Sequence, residues 1–272
     1  MWFSLKKIKS DIYSLIKKSI EDDVLAISSQ LAYSLLLSFF PFLIFLISIV
    51  SLSNIKVSDI MSNLRTFVPT EVYGLLSKTI TEVLYKGNGN IVSLSLLLTI
   101  WTASTGLNGV MKGLNKAYNE KESRSFIISQ IVAVILTIAL AIIIVIVIIF
   151  LVFGEASGHI ILRWLGIGNE FKILWYVVRY IFILFIMTLV FSLLYIYAPC
   201  KKHSLKSVLP GAILSSLGWI VSSLGFSFYI NNFSNYSKIY GSLGAVIILM
   251  LWLLISSFVI ILGGELNSVL MQ

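Results

Sequence analysis

Residues 125–154 read SFIISQIVAVILTIALAIIIVIVIIFLVFG and contain no Asp, Glu, Lys or Arg. About 20 apolar residues in a helix are enough to cross the hydrocarbon core of a bilayer, and this run is longer than that. Five more charge-free runs, each longer than 20 residues, occur at 24–55, 87–111, 180–200, 207–237 and 239–264. The sequence therefore predicts an all-α membrane protein with six transmembrane helices.

The composition of the chain agrees with this interpretation. Of the 272 residues, 58% are hydrophobic and 12% are charged, and the mean hydropathy is +0.98. Soluble domains carry about a quarter charged residues, so an ordinary soluble fold is excluded. The net charge of +8 does not indicate a nucleic-acid partner, because the basic residues flank the apolar runs as membrane topology requires.

The apolar runs predict a single transmembrane domain over residues 24–272. Its six helices are expected at about 26–50, 91–111, 127–152, 174–197, 210–229 and 242–266. Pro41 removes one backbone donor and should kink the first of these helices. Pro210 is expected to begin the fifth helix, because proline is favoured in a first turn.

Residues 1–23 predict a separate basic amphipathic helix. Its apolar residues recur at helical spacing, at Leu5, Ile8, Ile12, Leu15, Ile16 and Ile20, and lysines occupy most of the remaining surface. Such a helix is typical of segments that lie on a membrane and bind anionic lipid headgroups. A solvated helix packed on the cytoplasmic loops is the alternative.

The segment 56–86 predicts two short amphipathic helices on the outer face. One apolar stripe contains Ile60, Leu64 and Phe67, and a second contains Val72, Leu75, Leu76, Ile80 and Val83, with Pro69 between them. These helices could cap the mouth of a cavity or lie in the headgroup layer.

The distribution of basic residues predicts the orientation. The segments 1–23, 112–124 and 201–206 contain 12 Lys and Arg in 42 residues, whereas 56–86, 155–179 and Lys238 contain 8 in 57. Cytoplasmic segments are the richer in Lys and Arg. Six spans then place both termini in the cytoplasm.

Polar side chains inside apolar helices are the candidate functional residues, because a membrane tolerates them poorly. The candidate polar pathway consists of Gln30, Tyr33, Asn108, Asn115, Asn232, Asn235, Tyr240 and Glu265. A role in helix packing is the alternative for the smaller polar groups nearby.

Glu265 is the only acid that adjoins the last apolar run, near the end of the bundle where Lys112 is also expected. The sequence predicts a helix pair between Lys112 and Glu265 that could gate, relay protons or lock two helices. The alternative is an interfacial carboxylate in water.

The sequence predicts no catalytic residues, no cofactor and no metal site. The chain has one cysteine and two histidines, and the histidines, His159 and His203, lie far apart in sequence. An intramembrane enzyme would be indicated by a catalytic arrangement of Ser with His, of two Asp residues, or of His-Glu-x-x-His. The sequence shows none of these arrangements.

Several ordered motifs carry a resemblance to a known family. They are Leu31-Ala-Tyr33 with Ser38 and Pro41, Gly113-Leu-Asn115-Lys-Ala-Tyr118, Pro210-Gly-Ala212, Phe228-Tyr229, Tyr236-Ser237, Ile239-Tyr240-Gly-Ser-Leu-Gly244 and Gly264-Glu-Leu-Asn267. With these motifs the chain resembles the YihY/virulence factor BrkB family of bacterial inner-membrane proteins. The resemblance implies six helices and a location in the bacterial plasma membrane, but no established substrate. Some relatives are labelled ribonuclease BN; we do not expect that activity, because a metal-dependent nuclease needs clustered ligands.

Two functions of different classes remain open. A transporter or permease of an unknown small solute is favoured by the polar subset of helices, and the chain has no P-loop for ATP. The alternative is a non-transport envelope protein that organises lipids or partner proteins through its basic surface helix. The smooth helix at 127–152 could pack on lipid or on a second copy of the chain, as in a homo-oligomer.

Overall fold

The computed structural model describes residues 5–51, 73–74, 77, 92–164, 170–233 and 243–271. These residues form seven helices and no strand: α1 (Leu5–Glu21), α2 (Val24–Ser51), α3 (Val92–Ala117), α4 (Phe126–Trp164), α5 (Glu170–Tyr197), α6 (Leu205–Phe233) and α7 (Leu243–Leu270). The prediction of an all-α fold is confirmed. The two short outer helices predicted in 56–86 lie almost wholly outside the described residues.

Polar residues precede the first residues of α2 and α6. Asp23 adopts a left-handed conformation, with a φ of 51°, and its carbonyl accepts a hydrogen bond from Ile27 N at 3.1 Å. Ser204 precedes α6 and accepts a hydrogen bond from Ser207 N at 3.4 Å. Because this serine caps the helix, α6 begins at Leu205, and Pro210, the predicted start, lies in the second turn.

Four helical segments are long and apolar enough to cross a membrane. They are Val24–Leu46, Phe126–Val147, Leu205–Ile230 and Leu243–Leu270, and Ile181–Tyr197 is a shorter apolar helix; only the described residues enter this comparison. Several helices are therefore suited to a membrane environment.

The six long helices pack in a closed ring. α2 packs on α3 and α7, α7 on α6, α6 on α5, α5 on α4, and α4 on α3; α3 also touches α7 across the ring. α1 lies outside the ring and contacts the end of α7. Helices that are distant in sequence thus meet at the centre and can share buried polar groups.

Close helix crossings depend on glycine. A Cβ atom built on Gly211 of α6 would collide with the carbonyl oxygen of Gly263 on α7 and with the side chain of Asn267. On α3, Gly109 lies against Leu31 and Ser34 of α2. Small residues at such crossings let the helix backbones approach closely, as is common in membrane bundles.

The outer surface is largely apolar. Exposed hydrophobic side chains recur every three or four residues along α6, at Leu209, Ile213, Leu217, Val221, Leu224 and Phe228. This period places them on one face of the helix. An apolar face of this size is typical of a protein surrounded by lipid.

Candidate functional site

One end of the bundle contains a buried ion pair between Lys18 of α1 and Glu265 of α7. Glu265 is fully buried. The Lys18 Nζ atom also donates hydrogen bonds to Asp22 Oδ2 and to the carbonyl oxygen of Ala117, both at 2.7 Å. One lysine therefore ties the surface helix to the ends of α3 and α7.

The structure corrects the expected partner of Glu265. Lys112 does not reach it, because Leu114 and Ala117 form the face of α3 that packs on Gly264 of α7. Lys112 is exposed and lines a cleft on another side of α3. The polar face of α1, which the sequence assigned to solvent or lipid, supplies the cation instead.

A second group of polar contacts at the same end joins the two connections 118–125 and 198–204. Asn115 accepts a hydrogen bond from Cys200 N at 2.7 Å and donates one to Glu122 at 2.8 Å. Arg124 pairs with Glu122 at 2.8 Å and donates to the carbonyl of Ala198 at 3.0 Å. The Arg124 guanidinium lowers the pKa of Glu122 to about 2.

Asn267 connects three helical segments at this end. Its Oδ1 atom accepts a hydrogen bond from Gly211 N at 2.7 Å, and its Nδ2 atom donates to the Tyr118 hydroxyl at 3.1 Å. Tyr118 stacks on His203 with ring centroids 4.3 Å apart, and burial raises the pKa of the Tyr118 hydroxyl. Parts of the three basic segments 1–23, 112–124 and 201–206 therefore meet at one end of the molecule.

A cleft of about 500 Å³ lies beside this end, between α2, α3 and the beginning of α4. The polar side chains that line it include Gln30, Ser34, Thr105, Asn108, Lys112 and Lys116. Its floor contains two short hydrogen bonds, from Asn108 Nδ2 to Gln130 Oε1 at 2.5 Å and from Gln130 Nε2 to Ser104 Oγ at 2.6 Å. Gln130 is buried, so the amide network joins the wall of the cleft to the buried Ser104 of α3.

The candidate pathway residues divide among several places. Gln30 and Asn108 line the cleft, whereas Asn115 and Glu265 belong to the buried polar groups described above. Tyr33 is exposed and does not line the cleft. Asn232 is exposed and bonds to the carbonyl of Phe228 at 2.8 Å. Asn235 and Tyr240 lie outside the described residues.

Sequence reasoning missed Lys18, Asn267 and Gln130 as members of these sites. Gln130 offered a signal, since it is a lone amide near the start of the most apolar run. Asn267 follows the last run, where an amide is ordinary in water, and its buried environment comes only from the packing of α6 on α7. In the part of the chain that the structure describes, no three His, Cys, Asp or Glu residues are grouped for a metal.

Comparisons with known proteins identify relatives of the chain. Residues 15–272 match the family described as virulence factor BrkB. A protein of Bacillus subtilis named as ribonuclease-like, YfkH, is 38% identical over 89% of this chain and 88% of its own length. The UPF0761 membrane protein NTHI0384 of Haemophilus influenzae is 26% identical over 93% of this chain and 92% of its own. No solved structure matches the chain. On this evidence the chain belongs to the virulence factor BrkB family of membrane proteins.

Proposed function

We propose that the chain is a permease of the bacterial plasma membrane, with six spans, both termini in the cytoplasm and an unidentified small solute. The supporting observation is the cleft of about 500 Å³, which is lined by Gln30 of α2 and Asn108 of α3 together with smaller polar groups and two lysines. Polar groups at such depth are costly in a bilayer unless they line a solvated cavity or a binding site.

The location of the cleft fits an opening to the cytoplasm. It lies next to the end where the basic segments meet, and cytoplasmic segments are rich in Lys and Arg. The hydrogen bonds of Asn108, Gln130 and Ser104 link α3 to α4 at its floor. A transport cycle would therefore have to break these bonds to open the ring towards the other side.

The test is the labelling of single cysteines with a membrane-impermeant thiol reagent in a Cys200→Ser background. Gln30→Cys and Asn108→Cys should react from the cytoplasmic side, because a thiol reacts as the thiolate in water. Ile142→Cys, which is exposed on α4 outside the cleft, is the lipid-facing control and should not react. Candidate solutes can then be ranked by how well they slow labelling at Gln30→Cys.

A non-transport role in organising lipids or partner proteins is the second candidate. It is favoured by α1, where Ile12, Ile16 and Ile20 remain exposed next to lysines and can bind a membrane surface. If both cleft cysteines are protected in a folded protein, the transport proposal fails and this second function takes its place.

The name of the Bacillus subtilis relative raises the question of ribonuclease activity. We propose that this chain lacks that activity. The two histidines are far apart in sequence, and a metal-dependent nuclease needs several ligands close together. RNA cleavage by the purified protein that a chelator abolishes would contradict this proposal.

A further inference from the structure

The cleft continues into a second, apolar groove on the outside of the bundle. This groove has a volume of about 190 Å³ and is lined by Trp101 of α3 and by residues of α4 that include Ile131 and Ile135. The cleft and the groove share Trp101, Phe126 and Gln130. A polar cavity and an apolar groove therefore form one continuous depression on the lipid-facing surface.

The two halves differ sharply in chemistry. Lys112 and Lys116 are four residues apart on one face of α3, and both line the cleft. Among the described residues, neither lysine makes an ion pair, and no acidic side chain lines the cleft or the groove. The polar half thus carries two uncompensated positive charges, whereas the other half presents hydrocarbon.

The depths of the two halves match those of a lipid in a bilayer. Lys116 is at the end of α3 where the basic segments meet, and Trp101 lies about 22 Å further along the helix axis, at 1.5 Å per residue. Lysines at a membrane interface attract anionic headgroups. The groove along α4 runs from Phe126 to Ile135, roughly 13 Å, which is long enough for much of an acyl chain.

We propose that the cleft and the groove together bind one anionic phospholipid. Lys112 and Lys116 hold its phosphate, the amides of Gln30 and Asn108 face the glycerol ester groups below it, and one acyl chain lies on Trp101, Ile131 and Ile135. A soluble anion would leave the groove unused, and an uncharged lipid would leave both lysines unpaired.

Movement of the bound lipid through the protein would rest on the proposed function. Binding of the lipid does not. Because bound lipid would itself cover Gln30 and Asn108, the labelling is repeated after the lipid has been exchanged for detergent. Lipid that binds while the cleft cysteines stay protected even then would remove the solvated pathway and keep the lipid site. A reactive cleft without lipid binding would do the reverse. The two proposals therefore fail by different measurements.

The experiment is native mass spectrometry of the full-length protein, released from detergent that contains equal amounts of phosphatidylglycerol and phosphatidylcholine. One phosphatidylglycerol should remain bound in preference to phosphatidylcholine. Lys112→Gln with Lys116→Gln should reduce that preference about 30-fold, or about 2 kcal/mol, since each lysine near an anionic headgroup contributes about 1 kcal/mol and every 1.4 kcal/mol is a factor of ten. Lys201→Gln with Lys202→Gln removes the same charge at the same end of the molecule, and should leave the preference unchanged.

A second pair of variants tests the acyl-chain half. Ile131→Trp fills the groove and should weaken retention of the lipid, whereas Ile142→Trp adds the same bulk to an exposed position of α4 outside the groove and should not. All four substituted lysines and both isoleucines are exposed, so the variants should fold, which their melting temperatures will check.

Three results would overturn the proposal. They are equal loss of preference in the two lysine variants, displacement of the lipid by glycerol phosphate at the same concentration, and a dimer that Ile131→Trp dissociates. The first would indicate a diffuse surface charge, the second a site for soluble anions and the third a groove occupied by a second copy of the chain.

Discussion

At the scale of single residues, the most demanding feature is the buried carboxylate of Glu265. Removing a charge from water costs several kcal/mol, which only a well-placed partner offsets. Lys18 is that partner, and it is itself almost buried, with 12% of its side chain exposed. The lysine keeps two other acceptors, Asp22 and the Ala117 carbonyl, whereas the pairing of the glutamate depends on this lysine.

We therefore expect Lys18→Met to destabilise the protein by about 3–5 kcal/mol, because it leaves Glu265 buried without a cation. Lys17→Met is the matched control. Its ion pair with Glu21 is exposed, so the cost should be at most about 1 kcal/mol. Adding Glu265→Gln to Lys18→Met should recover much of the loss. Unfolding free energies in detergent measure all of these changes, and equal effects of the two lysine substitutions would contradict the assignment.

The stability of the folded protein should depend on pH through Glu122. Arg124 lowers its pKa from 4.5 to about 2, so the folded state favours the ionised form. The resulting stabilisation is fully present above pH 4.5, and is lost as the pH falls towards 2, because the unfolded state then binds the proton first. The difference in melting temperature between wild type and Glu122→Gln should shrink over this interval. A difference that stays constant with pH would exclude the ion pair as its cause.

At the scale of helices, the sequence predicted where the helices lie much better than where they end. Charge-free runs identify a span because lipid excludes charge, but a helix continues for as long as its backbone hydrogen bonds do. For this reason α4 continues to Trp164, beyond the expected end at 152. The start of α6 was also missed, because a single capping serine outweighed the preference of Pro210 for a first turn.

Two glycines of α6 allow the crossing with α7 to be tested. Gly211→Ala should lower the unfolding free energy by about 1–3 kcal/mol, because the new methyl group meets the backbone of Gly263 in a packed crossing. Gly225 has open space around its Cα atom. There the same substitution should be neutral or add about 0.5–1 kcal/mol through helix propensity. If both variants behaved alike, the close approach at Gly211 would be refuted.

The candidate site shows the same limit of sequence reasoning. The polar groups in apolar helices were visible, but their partners were not, because a partner depends on how the helices rotate about their axes. Lys112 and Ala117 are five residues apart on α3, yet one lines the cleft and the other contacts Lys18. A hydropathy pattern carries too little information to separate these two faces.

At the scale of the whole molecule, the ring is closed by contact between α2 and α7, which are the first and the last of its helices. The connections 118–125 and 198–204 and the surface helix lie together at one end. Backbone and side-chain bonds between these connections, such as Lys201 N to Glu120 at 2.8 Å, hold that end together. The charge bias of the sequence assigned the same segments to one side of the membrane.

Because these segments lie together at one end of the molecule, labelling them tests the orientation of the protein in the membrane. In a Cys200→Ser background, cysteines at Lys17, Lys121 and Lys202 should all react with an impermeant reagent in inside-out vesicles and be protected in intact spheroplasts. A cysteine at Lys86, in the predicted outer segment, should react in the opposite preparation. Labelling of Lys121→Cys and Lys202→Cys from different sides would contradict the topology.

The pairing of Lys18 with Glu265 also sets an order of events during biosynthesis. The two residues are 247 positions apart, so the lysine leaves the ribosome long before its partner has been made. At about 5–20 residues per second, the interval is roughly 12–50 s. Throughout it the nascent surface helix lacks its contact with the last helix, although the Ala117 carbonyl of α3 is made earlier. A chain that terminates before its last helix can never make that contact, and quality-control proteases would meet an N-terminal segment that is not docked on the last helix.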